Sequence, residues 1–151
     1  MKRKQILKIT ISFFVIVFIL VVGILCGREV GILDNNIANT KVDLGTSEIY
    51  SEEDLQAAAD VILNEIKTWD SVKEVYTVSY CGDEISSGNL DYCNILSDTE
   101  QIQCVVFESS FHTVKLSAES DGFNTDSRYD DWQWYLARTV DGEWELLTWG
   151  Y

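Results

Sequence analysis

An α+β fold carried behind a membrane anchor is what this sequence predicts: one long helix packed on an antiparallel sheet of about four strands, a roll. Three observations predict it. Residues 9–27 form an apolar run without a single charge, and a 3- and 4-residue apolar repeat runs over 52–68. From Val72 onward the chain turns to β-branched and aromatic runs that close on an Asp-Gly pair at 141–142. At 151 residues there is room for one domain of ordinary size.

The apolar run, Ile9 to Gly27, holds neither charge nor proline. As a helix its 19 residues span about 28 Å, the thickness of a bilayer's hydrocarbon. It is apolar all round, where a buried helix of a small domain would keep a polar face. Lys2, Arg3, Lys4 and Lys8 precede it, and all 25 carboxylates lie at or after Glu29. The net charge of −14 therefore averages a basic tail with a strongly acidic remainder. The positive-inside rule puts the N-terminus in the cytoplasm and the rest outside. A cleaved signal would be shorter and end on small residues, and Leu25 before Cys26 fits neither ordinary cleavage nor a lipoprotein signal. The expected layout is a cytoplasmic tail (1–8), a transmembrane anchor (9–27), a stalk (28–50) and an extracytoplasmic domain (51–151). The acidity argues against nucleic acid as a partner, since phosphates need Lys and Arg.

Residues 28–50 show no sustained period and carry Asn, Asp, Gly and Thr, as a solvated stalk would. Ser51, with Asp54 three residues on, approximates a capping box, and Glu52, Glu53 and Asp54 suit the positive end of a helix. Leu55, Ala58, Ala59, Ile62, Ile66 and Trp69 then recur on one face, predicting a helix over about 52–68. Val72 to Tyr80 reads as a strand. Cys81 to Asp98 is polar, with a short helical turn expected around Leu90–Leu96. Gln101 to Leu116 predicts a long strand or a bent pair, with Ile102, Cys104, Val105, Val106 and Phe107 available to a buried face. A loop follows over 117–127. Trp132 to Val140 and Glu143 to Trp149, joined by Asp141-Gly142, form the clearest hairpin. A two-residue turn would set Trp134 opposite Trp149. A three-residue turn with a bulge would group Trp134, Leu136, Trp144 and Leu146.

The opening Tyr50-Ser-Glu-Glu-Asp-Leu55, Ser110-Phe111, Tyr129, Trp132-x-Trp134-x-Leu136-x-Arg138, Gly142-x-Trp144 and Gly150-Tyr151 together carry a resemblance. Over residues 50–151 the chain resembles a group of small exported proteins of Gram-positive bacteria, which implies no activity. In element order it is also similar to the nuclear-transport-factor-like and cystatin-like rolls. That likeness implies a curved sheet around a long helix, in a class that holds isomerases, dehydratases and binding modules alike.

Little in the chain points to chemistry. His112 is the single histidine, and Ser110 lies two residues before it, but no G-x-S-x-G elbow accompanies them. One His with scattered cysteines makes no zinc set. The acidic stretch Glu119–Asp126 fails the EF-hand pattern, because Arg128 falls where the bidentate Glu belongs. No catalytic residue, metal or cofactor is therefore expected. Cys81 and Cys93 flank a Gly/Ser/Asn-rich segment and form the favoured disulfide among three connectivities, with Cys104 a buried thiol. The aromatic set Trp132, Trp134, Tyr135, Trp144, Trp149 and Tyr151 occupies both alternating faces of the hairpin. One face packs on the helix and the other needs a cover. Two expectations follow: a non-catalytic binding or assembly module with a protein partner or self-association, or an isomerase/dehydratase-type enzyme with an acidic residue in the mouth of the roll.

Overall fold

Helix α1 (Glu52–Ile66) starts where Ser51 leaves the extended region, and its capping box is complete. The Asp54 N–H donates to Ser51 Oγ at 3.1 Å, and the Ser51 N–H returns a bond to Asp54 Oδ2 at 3.3 Å. Two of the donors that a helix start leaves free are thereby satisfied. The buried stripe Leu55, Ala58, Ala59, Ile62 and Ile66 is the one read from spacing.

This computed structural model describes residues 37–114, 122–140 and 142–151. The chain divides into two units at Asp34/Asn35, and everything described belongs to the second. The anchor expected at 9–27 lies outside the described residues. Among those described, no helix is long and apolar enough to cross a membrane.

The sheet has five strands, in the order β1 (Lys41–Asp43), β2 (Val72–Tyr80), β3 (Gln103–Thr113), β4 (Arg128–Arg138) and β5 (Glu145–Gly150). Four are antiparallel neighbours, as expected. The fifth, β1, corrects two expectations at once. It pairs parallel with β2, Val42 opposite Val78, so the sheet is mixed. It also lies inside the segment assigned to the stalk. From Ile37 onward that segment is part of the domain: Thr40 Oγ1 donates to Val75 O at 3.1 Å, and Tyr50 is buried with its hydroxyl donating to Cys104 O at 2.8 Å. A three-residue strand has no period to read. Its identity comes from β2, and α1 is the crossover a parallel pair requires.

Bulges bend the sheet. Register slips on β2 between Val72 and Glu74 and again between Val75 and Thr77. It slips also where Ser109 and Phe111 face Trp132 and Tyr129, leaving Asp131 at φ 58. The hairpin combines both expected registers: Leu136 pairs with Leu146, a slip at Leu147 follows, and Trp134 then meets Trp149. Its connection is longer than the expected tight turn, with strands ending at Arg138 and resuming at Glu145. Gly142 is required by close approach, since a Cβ there would sit 2.6 Å from Thr139 Oγ1.

Both sheet faces are covered. Val75, Val78, Val105, Phe107, Phe111, Trp134 and Leu136 meet α1 in the main core. Alternate residues Cys104, Val106 and Ala137 face the other way. There they meet α2 (Asp83–Gly88) and α3 (Leu90–Leu96) through buried Ser86 and Cys93. The sequence reading anticipated α3 but not α2. Gly82, at φ 97, makes the turn into α2, and Ser86 Oγ accepts the Val106 N–H at 3.0 Å. β3 is thus apolar on both faces, the reason its run reads as continuous rather than alternating.

Candidate functional site

The end of the sheet beyond α1 is built almost entirely of rings. Trp69, three residues past the helix, stacks on Trp134 at 5.2 Å between centroids and meets Trp149 at 5.7 Å and Phe123 at 5.4 Å. Phe111 stacks on Tyr129 at 5.1 Å, and Phe123 meets Trp132 at 5.5 Å. Trp132 then meets Tyr151 edge-on at 5.1 Å. Each such pair contributes roughly 0.5–1.5 kcal/mol beyond its buried area, so the outermost rings stand on a stiff base.

Across this pile the six aromatic residues singled out from sequence separate. Trp134 and Trp144 are core: Trp134 is 0 % exposed with its indole N–H on Ser109 Oγ at 2.9 Å, and the Trp144 indole donates to Asp54 O at 2.9 Å. Tyr135 lies on the opposite face, under Tyr92 of α3 at 5.2 Å. Only Trp132, Trp149 and Tyr151 reach the rim. Trp149 is 43 % and Tyr151 80 % exposed. Trp132 Nε1 is buried with no hydrogen-bond partner among the described residues, a donor left at a cost of about 1–3 kcal/mol. Parity along β4 sets Tyr135 against Trp132 and Trp134. A slip at Leu147 puts Trp149 on the face of Trp134, so parity along β5 does not show where Trp144 and Trp149 lie.

Around the edge of β5, the last strand of the sheet, Tyr92, Tyr135, Thr148, Trp149 and Tyr151 line a groove of about 280 Å³. Asp130 and Asp131 lie close enough to Tyr151 that their charge, after burial and Tyr129, helps push its phenol pKa up. The sequence reading missed Tyr92, Trp69, Phe123 and Tyr129 as part of this surface. Trp69 carried a signal, as the last member of the helical stripe, and Tyr129 belonged to the closing aromatic pattern. Phe123 sits in a loop and carried none.

No family model, curated protein or solved structure matches this chain. Its function has to be read from its own geometry.

The residue types of a hydrolase are present but apart. Ser110 Oγ is bonded to Thr77 Oγ1 at 2.8 Å, while His112 Nε2 lies 3.3 Å from Asp126 Oδ1. The space between α1 and the sheet, which a cone-shaped enzyme keeps open, is filled by Ile62, Phe107, Trp134 and Leu136. A hollow of about 630 Å³ does open at the other end, between β1 and the start of α1, lined by Asp43, Tyr50 and Glu52. There the Asp43 carboxyl is held below its usual range by the Lys41 ammonium, opposite to what a carboxylic acid catalyst needs. Asp83 is held low too, by Ser47 and the Glu48 N–H, and so serves as a peg fastening residues 47–48 to α2. Among the described residues no three His, Cys, Asp or Glu side chains converge on a metal position.

The favoured cysteine pair is corrected. Cys93 meets Cys104, whose sulfur lies 2.7 Å from its own, while Cys81 is a third, half-buried thiol packed beside them. The physical reason is the two-faced sheet. Cys104 points away from α1, and α3 lays Cys93 on that face, so proximity in space overrides the loop that Cys81 and Cys93 flank in sequence.

Proposed function

We propose that this chain is a non-catalytic binding or assembly module, held at the outer face of a membrane by residues 9–27. It engages a protein partner or a second copy of itself through Trp132, Trp149 and Tyr151. The observation that carries this reading is the aromatic rim, fixed from beneath by Trp69, Phe123 and Trp134 yet open on its outer side. Tyr and Trp held rigid at a surface lose little entropy when covered, which is why they anchor interfaces. The rim borders β5, an edge strand, so a partner segment can also pair with its backbone. The filled interior favours binding over an isomerase or dehydratase. The outward topology is supported by the charge asymmetry around residues 9–27.

The test uses the full chain in its own membrane, with a photo-crosslinking residue in place of Tyr92, which lines the groove beside Trp149 and Tyr151. The expected result is a discrete adduct, either a dimer of the chain or one defined partner, that Trp149→Ser abolishes. External protease on intact cells stripped of their wall should remove the domain while sparing the tail. An adduct unchanged by Trp149→Ser, or a domain shielded from protease until the membrane is opened, defeats the reading.

A further inference from the structure

The sheet face turned away from α1 holds two fully buried thiols, Cys93 at 0 % and Cys104 at 1 % exposure, their sulfurs 2.7 Å apart. A disulfide bond is about 2.05 Å long. Closing the remaining gap needs only a small rotation of side chains, because the backbone is already fastened on both sides. Asn94, next to Cys93, accepts the Gln101 N–H at 2.7 Å and donates from its amide to Gln101 O at 3.2 Å. The same amide also donates to Leu90 O at 3.1 Å, inside α3. On the other side, β3 holds Cys104 opposite Ala137, and the Tyr50 hydroxyl caps its carbonyl at 2.8 Å. Val106, Ala137, Leu90, Tyr135 and Leu147 enclose the pair in apolar side chains.

We infer that Cys93 and Cys104 form a disulfide that staples α3 to the sheet, leaving Cys81 as a free thiol. The consequence reaches the groove of the proposed binding surface, since Tyr92 of α3 forms its wall opposite Trp149 and Tyr151. With the bond made, that wall is held. With it reduced, α3 rests on the apolar contacts of Cys93 and Leu90 and on the hydrogen bonds of Asn94.

The chemistry is thiol–disulfide exchange. The Cys93 thiolate attacks a sulfur of an oxidising disulfide and expels the other sulfur as a thiolate, which takes up a proton. Cys104 gives up its proton and displaces the second sulfur. The two cysteines lose two protons and two electrons, and the oxidant's disulfide is reduced to two thiols. That oxidant is the disulfide of an exported thiol oxidoreductase or a small-molecule disulfide. Because both sulfurs are covered in the folded domain, the bond forms before α3 closes. Exchange continues until the link that the closed fold accommodates is retained, and Cys93 and Cys104 are the pair whose sulfurs meet there. Only the source of oxidant rests on the outward topology proposed above; the pairing rests on geometry.

The full chain, unfolded and reduced, would be refolded in a mixture of reduced and oxidised glutathione, alkylated and cut after Asp and Glu. Those cuts separate all four thiols: Cys26 in 1–29, Cys81 in 75–83, Cys93 in 92–98 and Cys104 in 101–108. The expected product is fragment 92–98 linked to 101–108, with the Cys81 fragment alkylated, in the wild type and in Cys81→Ser alike. Reductant should lower the melting temperature of both by about 10 °C and leave Cys93→Ala unmoved. A link from Cys93 or Cys104 to Cys81 or Cys26, or alkylation of all four, overturns the inference. A link made on refolding but missing from chain extracted from its membrane supports the pairing and counts against the outward topology.

Discussion

Arg138 Nη1 donates to Asp54 Oδ1 at 2.8 Å, joining the end of β4 to the first turn of α1. The guanidinium lies 4.3 Å over the Trp144 ring, and Arg138 Nε donates to Gln103 Oε1 at 2.6 Å. Asp54 is therefore both a helix cap and the point where the hairpin is buttoned to the helix. The Arg138 bond, with Ser51 second, holds its carboxyl below the usual carboxylate range. A depressed folded pKa means stability that is complete above the unfolded value, about pH 3.9. It is lost as pH falls through the folded one. Asp54→Asn should cost about 1 kcal/mol in urea unfolding at pH 7, a modest figure because the pair is partly solvated. The gap between variant and wild type should narrow below about pH 4.

Trp134 fills the centre of the core and its indole N–H is spent on Ser109 Oγ. Trp134→Phe leaves a cavity and a buried hydroxyl without its donor. Unfolding free energy should fall by about 2–4 kcal/mol. Adding Ser109→Ala to that variant should recover part of the loss, measured as a double-mutant cycle in denaturant.

Residues 37–50 belong to the domain through β1, Thr40 and Tyr50. Tyr50→Phe should cost about 1 kcal/mol, the net worth of a buried hydrogen bond. A fragment starting at Ser51 should unfold at a lower urea midpoint than one starting at Asn35. Equal midpoints would return these residues to a stalk.

At the rim, stability and binding should part company. Tyr151→Ser, at a side chain mostly in solvent, should leave the urea midpoint within about 0.5 kcal/mol of wild type. The same change should weaken partner cross-linking at least tenfold. Trp144→Ala should do the reverse at first hand, lowering stability by about 3 kcal/mol because its ring packs on Tyr50 and Arg138.

Where local chemistry alone decides structure, the sequence was readable. Ser51 and Asp54 cap the helix that their spacing predicts, and Val72–Tyr80 and Leu90–Leu96 have the bounds that composition predicts. What escaped depended on partners distant in the chain. β1 is a strand because Thr77 to Ser79 lie beside it, and α2 is a helix of six residues entered through Gly82. The partner of Cys93 followed from which face of β3 carries Cys104. The rim was legible as a set of six aromatics, but three of them are core or covered. Trp149 is exposed because it lies on the edge strand β5, opposite buried Trp134, and a period of two does not show which strand is an edge.

The position of β1 has a mechanical consequence. It is the sheet's first edge and β5 its last, so four strand spacings, about 19 Å, lie between them. Tension entering along the chain before Ile37 falls first on a three-residue parallel strand, which a steady pull strips from β2 rung by rung. The aromatic rim sits at the far edge, so the loss of β1 removes none of the pairings of β4 and β5 that place it. A small extension is thus available before the strands that carry the rim are disturbed.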